Sequence, residues 1–156
     1  MAGFGSPHIT ARGNGRRIAI IAAQWYPEVT DQMVARAGAA LDDCGVTDVT
    51  VVRVPGTYEL PVTCRRLAER FDAMIALGVV IRGGTPHFEY VCEAATMGLT
   101  QVSVDTGIPI GFGVLTCDNE QQARDRAGLP DSAEDKGYEA AMAVLATLDA
   151  IDTVMA

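Results

Sequence analysis

Hydrophobic positions along this chain change their period again and again. Ile18 to Ala23 is an almost unbroken apolar run, the pattern of a strand covered on both faces. Val29, Met33, Ala37 and Leu41 follow at i, i+4 spacing and stop at Gly45, which predicts a helix. Val49 to Val54 is rich in β-branched residues and ends at Pro55-Gly56, which predicts a second strand. Leu60, Cys64, Leu67 and Phe71 mark a second amphipathic helix, with Pro61 in its first turn. Ala73 to Ile81 is the third strand and the most apolar one. Phe88, Cys92, Ala95, Leu99 and Val102 define a third helix, and Ile108 to Leu115 a fourth strand with Pro109 near its start. Asn119 with Gln122 has the form of a capping box, opening a short helix that stops at Gly128-Leu129-Pro130. Tyr138, Met142, Leu145 and Leu148 mark a long final helix.

Strands alternating with helices imply right-handed crossovers, hence a four-stranded parallel sheet between two helical layers, an α/β/α arrangement of order βαβαβαβαα. Ligands of such sheets bind outside the C-terminal ends of the strands. The segments there are Gln24 to Pro27, Pro55 to Glu59, Arg82 to His87 and Thr116 to Asp118, and all four are expected to meet along one edge. Residues 1–15, rich in Gly and polar residues, read as a flexible N-terminal arm ahead of a single domain at 16–156. His8 in that arm is given no role.

Composition narrows the class. A net charge of −8 excludes a general nucleic-acid or acidic-membrane binder, so any positive charge that a phosphate needs must be local. The four cysteines have no metal-ligand spacing and read as small buried hydrophobes. The first residues lack the apolar core of a secretion signal, and no apolar run is long enough to span a membrane. The expectation is a cytoplasmic protein without a metal-ligand cluster.

The richest stretch is Arg82-Gly83-Gly84-Thr85-Pro86-His87. Paired glycines let backbone approach a ligand, Pro86 suits the start of a helix whose free N–H groups attract an anion, and Thr85 adds a hydroxyl. His87 then stands beside the anion as an acid or base; the plainer alternative is a strand-to-helix turn with a surface histidine. Trp25, the only tryptophan, follows a buried strand and offers either a stacking surface or a cap on the core. Glu59 can accept hydrogen bonds from a polyol or simply favour a helix start. Arg126 and Lys136 flank the Gly-Leu-Pro break and matter for binding if that loop folds toward a phosphate. Neither GxGxxG after the first strand nor GxxxxGK[ST] occurs, which disfavours a dinucleotide fold and excludes a P-loop.

Together, Val-Pro-Gly-Thr-Tyr-Glu-Leu-Pro at 54–61, the run Ala76 to Cys92, Phe-Gly-Val-Leu-Thr at 112–116 and the run Asp125 to Gly137 resemble the 6,7-dimethyl-8-ribityllumazine synthase family from Arg16 onward. The resemblance implies a flavodoxin-like fold and the penultimate step of riboflavin synthesis. There 5-amino-6-(D-ribitylamino)uracil condenses with 3,4-dihydroxy-2-butanone 4-phosphate, releasing phosphate and water. It implies that Trp25 stacks on the pyrimidine, that Thr57, Tyr58 and Glu59 hold the ribityl chain, and that Val79, Val80 and Ile81 meet the uracil edge through main-chain groups. Gly84, Thr85 and Arg126 would bind phosphate, with Lys136 a further candidate. His87 would move protons, and Phe112 would close the site from a neighbouring subunit. The implied assembly is a homopentamer; the length of the 129–135 loop favours an isolated pentamer over a larger shell. Riboflavin synthase, which consumes the product, is a candidate partner. A non-catalytic flavin- or lumazine-binding or assembly protein on the same fold is the competing reading; the joint presence of Thr85, His87 and Arg126 speaks against it. Trp25 and the adjacent Tyr26 depart from the family's usual residues, which leaves the polar contacts of that turn open.

Overall fold

Four parallel strands pair in the order β2-β1-β3-β4: β1 is Arg17–Ala23, β2 Asp48–Val54, β3 Ala73–Ile81 and β4 Ile110–Cys117. The computed structural model describes Gly5 and residues 7–156. Helices α1 (Pro27–Asp43), α2 (Leu60–Leu67), α3 (His87–Thr106), α4 (Glu120–Arg124) and α5 (Lys136–Met155) complete the expected order. Side chains alternate across a strand, so each face of the sheet has its own core. Ile18, Ile20, Ala22, Ile75 and Leu77 pack with Met33 and Leu41 of α1 and Val144 and Leu145 of α5. Ala19, Ile21, Met74 and Ala76 pack with Leu60 and Cys64 of α2 and Leu99 and Val102 of α3. The result is a three-layer α/β/α, flavodoxin-like fold. All four cysteines are unpaired; Cys64 lies wholly within the second core, and burial pushes its thiol up to about 12.

Two element ends differ from the hydrophobic pattern. Phe71 is not helical: α2 stops at Leu67, a 3₁₀ turn covers Ala68–Arg70, and Phe71 is extended. The next residue is already tied to the sheet, because Asp72 donates its N–H to the Arg17 carbonyl at 2.9 Å and accepts the Arg17 N–H at 2.7 Å. β4 begins at Ile110 instead of Ile108, since Pro109 has no N–H to give and contributes only its carbonyl, to Met74 N–H at 3.0 Å. The short helix α4 ends at Arg124, well before Gly128.

Of the expected arm, residues 1–4 and 6 lie outside the described residues. Its later part is fastened to the body: Ala11 packs against the α1/α5 core, Arg12 N–H donates to Asp149 at 2.9 Å, and Gly13 N–H donates to the Cys44 carbonyl at 2.8 Å. Among the described residues no helix is long and apolar enough to cross a membrane.

Candidate active site

The chain leaves β1 toward β2 on one side and passes to β3 on the other, so a crevice opens between the carboxyl ends of β1 and β3. At the end of β1, Tyr26 precedes Pro27 in a left-handed conformation (φ 55°, ψ 64°), the only positive φ outside glycine among the described residues. That conformation costs an ordinary residue about 1–2 kcal/mol. Three bonds to its carbonyl, from Val29 N–H at 2.9 Å, Thr30 N–H at 3.0 Å and the Thr30 hydroxyl at 3.2 Å, hold it, as does packing against the α1/α5 core. Trp25, one residue earlier, stays outside the core at 65% exposure, its rings 6.5 Å from that of Tyr26.

The second wall is the 3₁₀ turn Thr57–Glu59. A Cβ at Gly56 would stand 3.1 Å from the Glu59 carboxylate and 3.5 Å from the Trp25 indole, so glycine lets both side chains approach the same point. Thr57 is buried and donates its hydroxyl to the Val79 carbonyl at 3.4 Å. A Cβ on Gly78 would come within 2.6 Å of that hydroxyl oxygen, so the turn seats on β3 only because position 78 has no side chain. His87 is exposed as the first residue of α3, directly after Pro86. Trp25, Thr57, Tyr58, Glu59, Val79, Val80, Ile81 and His87 line one cleft of about 270 Å³. Tyr26, Gly56 and Val91 complete it; Val91 was detectable as the residue one helical turn beyond His87.

Gly83 and Gly84 behave differently from expectation. Neither has a positive φ, and a Cβ on either would meet nothing within 4 Å. Their lack of side chains therefore opens space outside the chain and does not serve a forced turn. No side chain caps the amino end of α3.

Phe112, Arg126 and Lys136 lie elsewhere. With Gly113, Val114, Leu115 and Thr116 they line a separate groove of about 260 Å³ along β4, which is an edge strand. Gly84 and Thr85 line neither depression. Phe112 is 47% exposed there. The loop that presents the two cations is tightly tied. Asp135 accepts Tyr138 N–H at 3.1 Å as the cap of α5, Gly128 takes φ +73°, and Lys136 N–H donates to the Arg126 carbonyl at 2.9 Å. Arg126 donates to the Gln122 carbonyl at 2.9 Å and stands 3.8 Å from Glu134. Lys136 pairs with Glu134 at 2.7 Å and Glu139 at 2.6 Å. Burial pulls its ammonium down, but the two carboxylates more than offset this and hold its pKa above the ordinary value. Of the four strand-end segments expected to meet, the first three contribute residues to the cleft; the fourth contributes none but lies beside it, Thr116 and Cys117 pairing with Val80 and Ile81 and Asp118 accepting from Arg82 Nε at 2.8 Å.

A larger apolar depression, about 700 Å³, lies on α5 beside Ile9 but contains no titratable group, so it offers no chemistry. Among the described residues no cluster of His, Cys, Asp and Glu could hold a metal ion.

Comparison with known proteins identifies the family. The family model of 6,7-dimethyl-8-ribityllumazine synthase matches residues 15–152. A protein of that name from Kineococcus radiotolerans is 61% identical, covering 97% of this chain and 94% of its own length. Those from Arthrobacter sp. strain FB24 (60%; 94% and 95% covered) and Streptomyces avermitilis (56%; 99% and 97% covered) are similar over almost their whole lengths. The chain belongs to the 6,7-dimethyl-8-ribityllumazine synthase family.

Proposed function

We propose that the cleft and the β4 groove are complementary halves of one active site, shared between neighbouring copies of this chain. In it 5-amino-6-(D-ribitylamino)uracil and 3,4-dihydroxy-2-butanone 4-phosphate condense to 6,7-dimethyl-8-ribityllumazine. The observation that carries this reading is the division of the chemistry. An exposed indole, a carboxylate and a histidine share one cleft, while the arginine and an exposed phenylalanine stand on a different groove of an edge strand.

In this reading Trp25 stacks on the pyrimidine, Thr57, Tyr58 and Glu59 hold the ribityl chain, and the main chain of Val79, Val80 and Ile81 meets the uracil edge. Gly84 and Thr85 take the phosphate at the uncapped end of α3, where helix N–H groups favour an anion. Arg126 of the next copy, with Lys136 beside it, completes that site, and Phe112 of the same copy covers the pyrimidine. The amine of one substrate adds to the ketone of the other and loses water to give an imine. Phosphate then leaves by β-elimination, and ring closure expels a second water. Each step needs protons moved between nitrogen, carbon and oxygen, which His87 can do from the rim of the cleft. The rest is alignment of two substrates, for which a cleft without cofactor suffices. We place the enzyme in the cytoplasm.

Lumazine absorbance in a mixture of the two substrates is the direct test. Arg126→Ala is expected to raise KM for the butanone phosphate about tenfold or more, leaving KM for the pyrimidine near its original value. An unchanged phosphate KM removes Arg126 from the site. Light scattering is expected to give the mass of five chains; a mass many times larger would replace the isolated pentamer by a shell.

A further inference from the structure

Arg82 directly follows β3 and leads into the Gly83–His87 turn, and its guanidinium is already engaged inside the chain. Nε donates to Asp118, beyond β4, at 2.8 Å; Nη1 donates to Glu89 in the first turn of α3. The same cation lies 4.3 Å over the Phe88 ring, and the Arg82 N–H donates to the Cys117 carbonyl at 2.9 Å. The elements on both sides of the turn thus converge on one side chain. Asp118 and Glu89 side chains are 63% and 53% exposed, so both carboxylates face the solvent from which a substrate arrives.

The charge count is unfavourable for an anion. One cation stands against two carboxylates, in a chain whose net charge is already −8. Glu89 sits where the helix N–H groups would otherwise attract phosphate. Without the guanidinium, two uncompensated negative charges would flank the turn. The bond from Arg82 keeps Glu89 below its ordinary pKa, so that carboxylate stays charged and bound to its partner.

We propose that Arg82 is a positioning residue for phosphate binding: it screens Glu89 and Asp118 and ties the Gly83–His87 turn to both neighbouring elements, without touching the phosphate. This rests on the reading of that turn as the phosphate site. Exposed ion pairs contribute little to stability, so the effect falls on substrate binding and not on the fold.

Arg82→Met keeps an apolar stem over Phe88 and removes the charge. It is expected to raise KM for the butanone phosphate about tenfold, with KM for the pyrimidine within about twofold and the melting midpoint nearly unchanged. Adding Glu89→Gln and Asp118→Asn to Arg82→Met is expected to return the phosphate KM to within about threefold of the original protein. If Arg82 were instead a phosphate ligand, the triple variant would stay as weak as the single one, and that result overturns the proposal. An unchanged KM in Arg82→Met overturns it as well. The underlying reading has its own control: inorganic phosphate should compete with the butanone phosphate in the unaltered enzyme. Absence of competition, together with an unaffected Arg126→Ala variant, removes the phosphate site itself and the proposal with it.

Discussion

His87→Ala is expected to lower kcat for lumazine formation about a hundredfold while leaving both KM values within about threefold. His87 is exposed and begins α3 without being part of either core, so its loss should leave the fold intact. Only the proton transfers suffer. A positioned acid or base contributes on the order of 10²–10⁴ in rate, and the lower end applies here because alignment alone supplies much of the acceleration. The shared-site reading adds a sharper expectation. Chains carrying His87→Ala keep a sound β4 groove, and chains carrying Arg126→Ala keep a sound cleft. At butanone phosphate concentrations too low to saturate Arg126→Ala, oligomers assembled from a mixture of the two should therefore be more active than either variant alone. A kcat within threefold of the original removes His87 from the chemistry. Mixtures no better than their components would place cleft and groove in the same copy.

Gly137→Ala should cost about 3 kcal/mol of stability, lowering the melting midpoint by roughly 6–12 °C. A Cβ at position 137 would lie 2.4 Å from the Met33 carbonyl oxygen and 3.0 Å from its carbonyl carbon. Both obstacles are backbone atoms of a fully buried residue in the middle of α1, so no side chain can swing away. Relief requires α5 to move off α1, which disturbs the core on that face of the sheet. Lys136 and Asp135 precede the glycine, so the Arg126 loop should loosen too and the phosphate KM should rise with the loss of stability. Thermal melting checks the first effect and steady-state kinetics the second; an unchanged midpoint would refute the packing argument.

Much of the fold was legible because local signals and burial agree. β3 appears at Ala73–Ile81, as its uninterrupted apolar run predicts, since both faces of that central strand are covered. Gly45 ends α1 with φ +77°, and Asn119 caps α4 by accepting Gln122 N–H at 3.0 Å. The second half of the capping box shifts by one residue: the Gln122 side chain accepts from Asp118 N–H at 2.9 Å. The misread ends have opposite causes: at Phe71 attachment of the next residue to the sheet outweighs a continued helical period, and at Ile108 the missing N–H of Pro109 delays the strand. Trp25, Glu59, Thr85 and His87 stood out because strand ends in a parallel sheet gather at one edge, whereas Thr57, Tyr58, Val79, Val80, Ile81 and Phe112 entered only through the family resemblance. That Phe112 stands apart from His87 was implied by the family resemblance, but the same separation of Arg126 was not legible, because it depends on where β4 sits across the sheet. Nor was the left-handed Tyr26, whose conformation is imposed by hydrogen bonds from α1 and by core packing and not by its own preference.

That turn has a practical consequence. The chain holds a single tryptophan, and it stands largely exposed at the rim of the cleft, beside Glu59 and fixed behind by the strained Tyr26. Its emission therefore reports from one place only. A planar molecule settling against the indole would shield it from water and quench it, with no second emitter of its kind to dilute the signal. Occupancy of the cleft can be titrated optically on the unlabelled protein, in the absence of turnover and with the pyrimidine substrate alone.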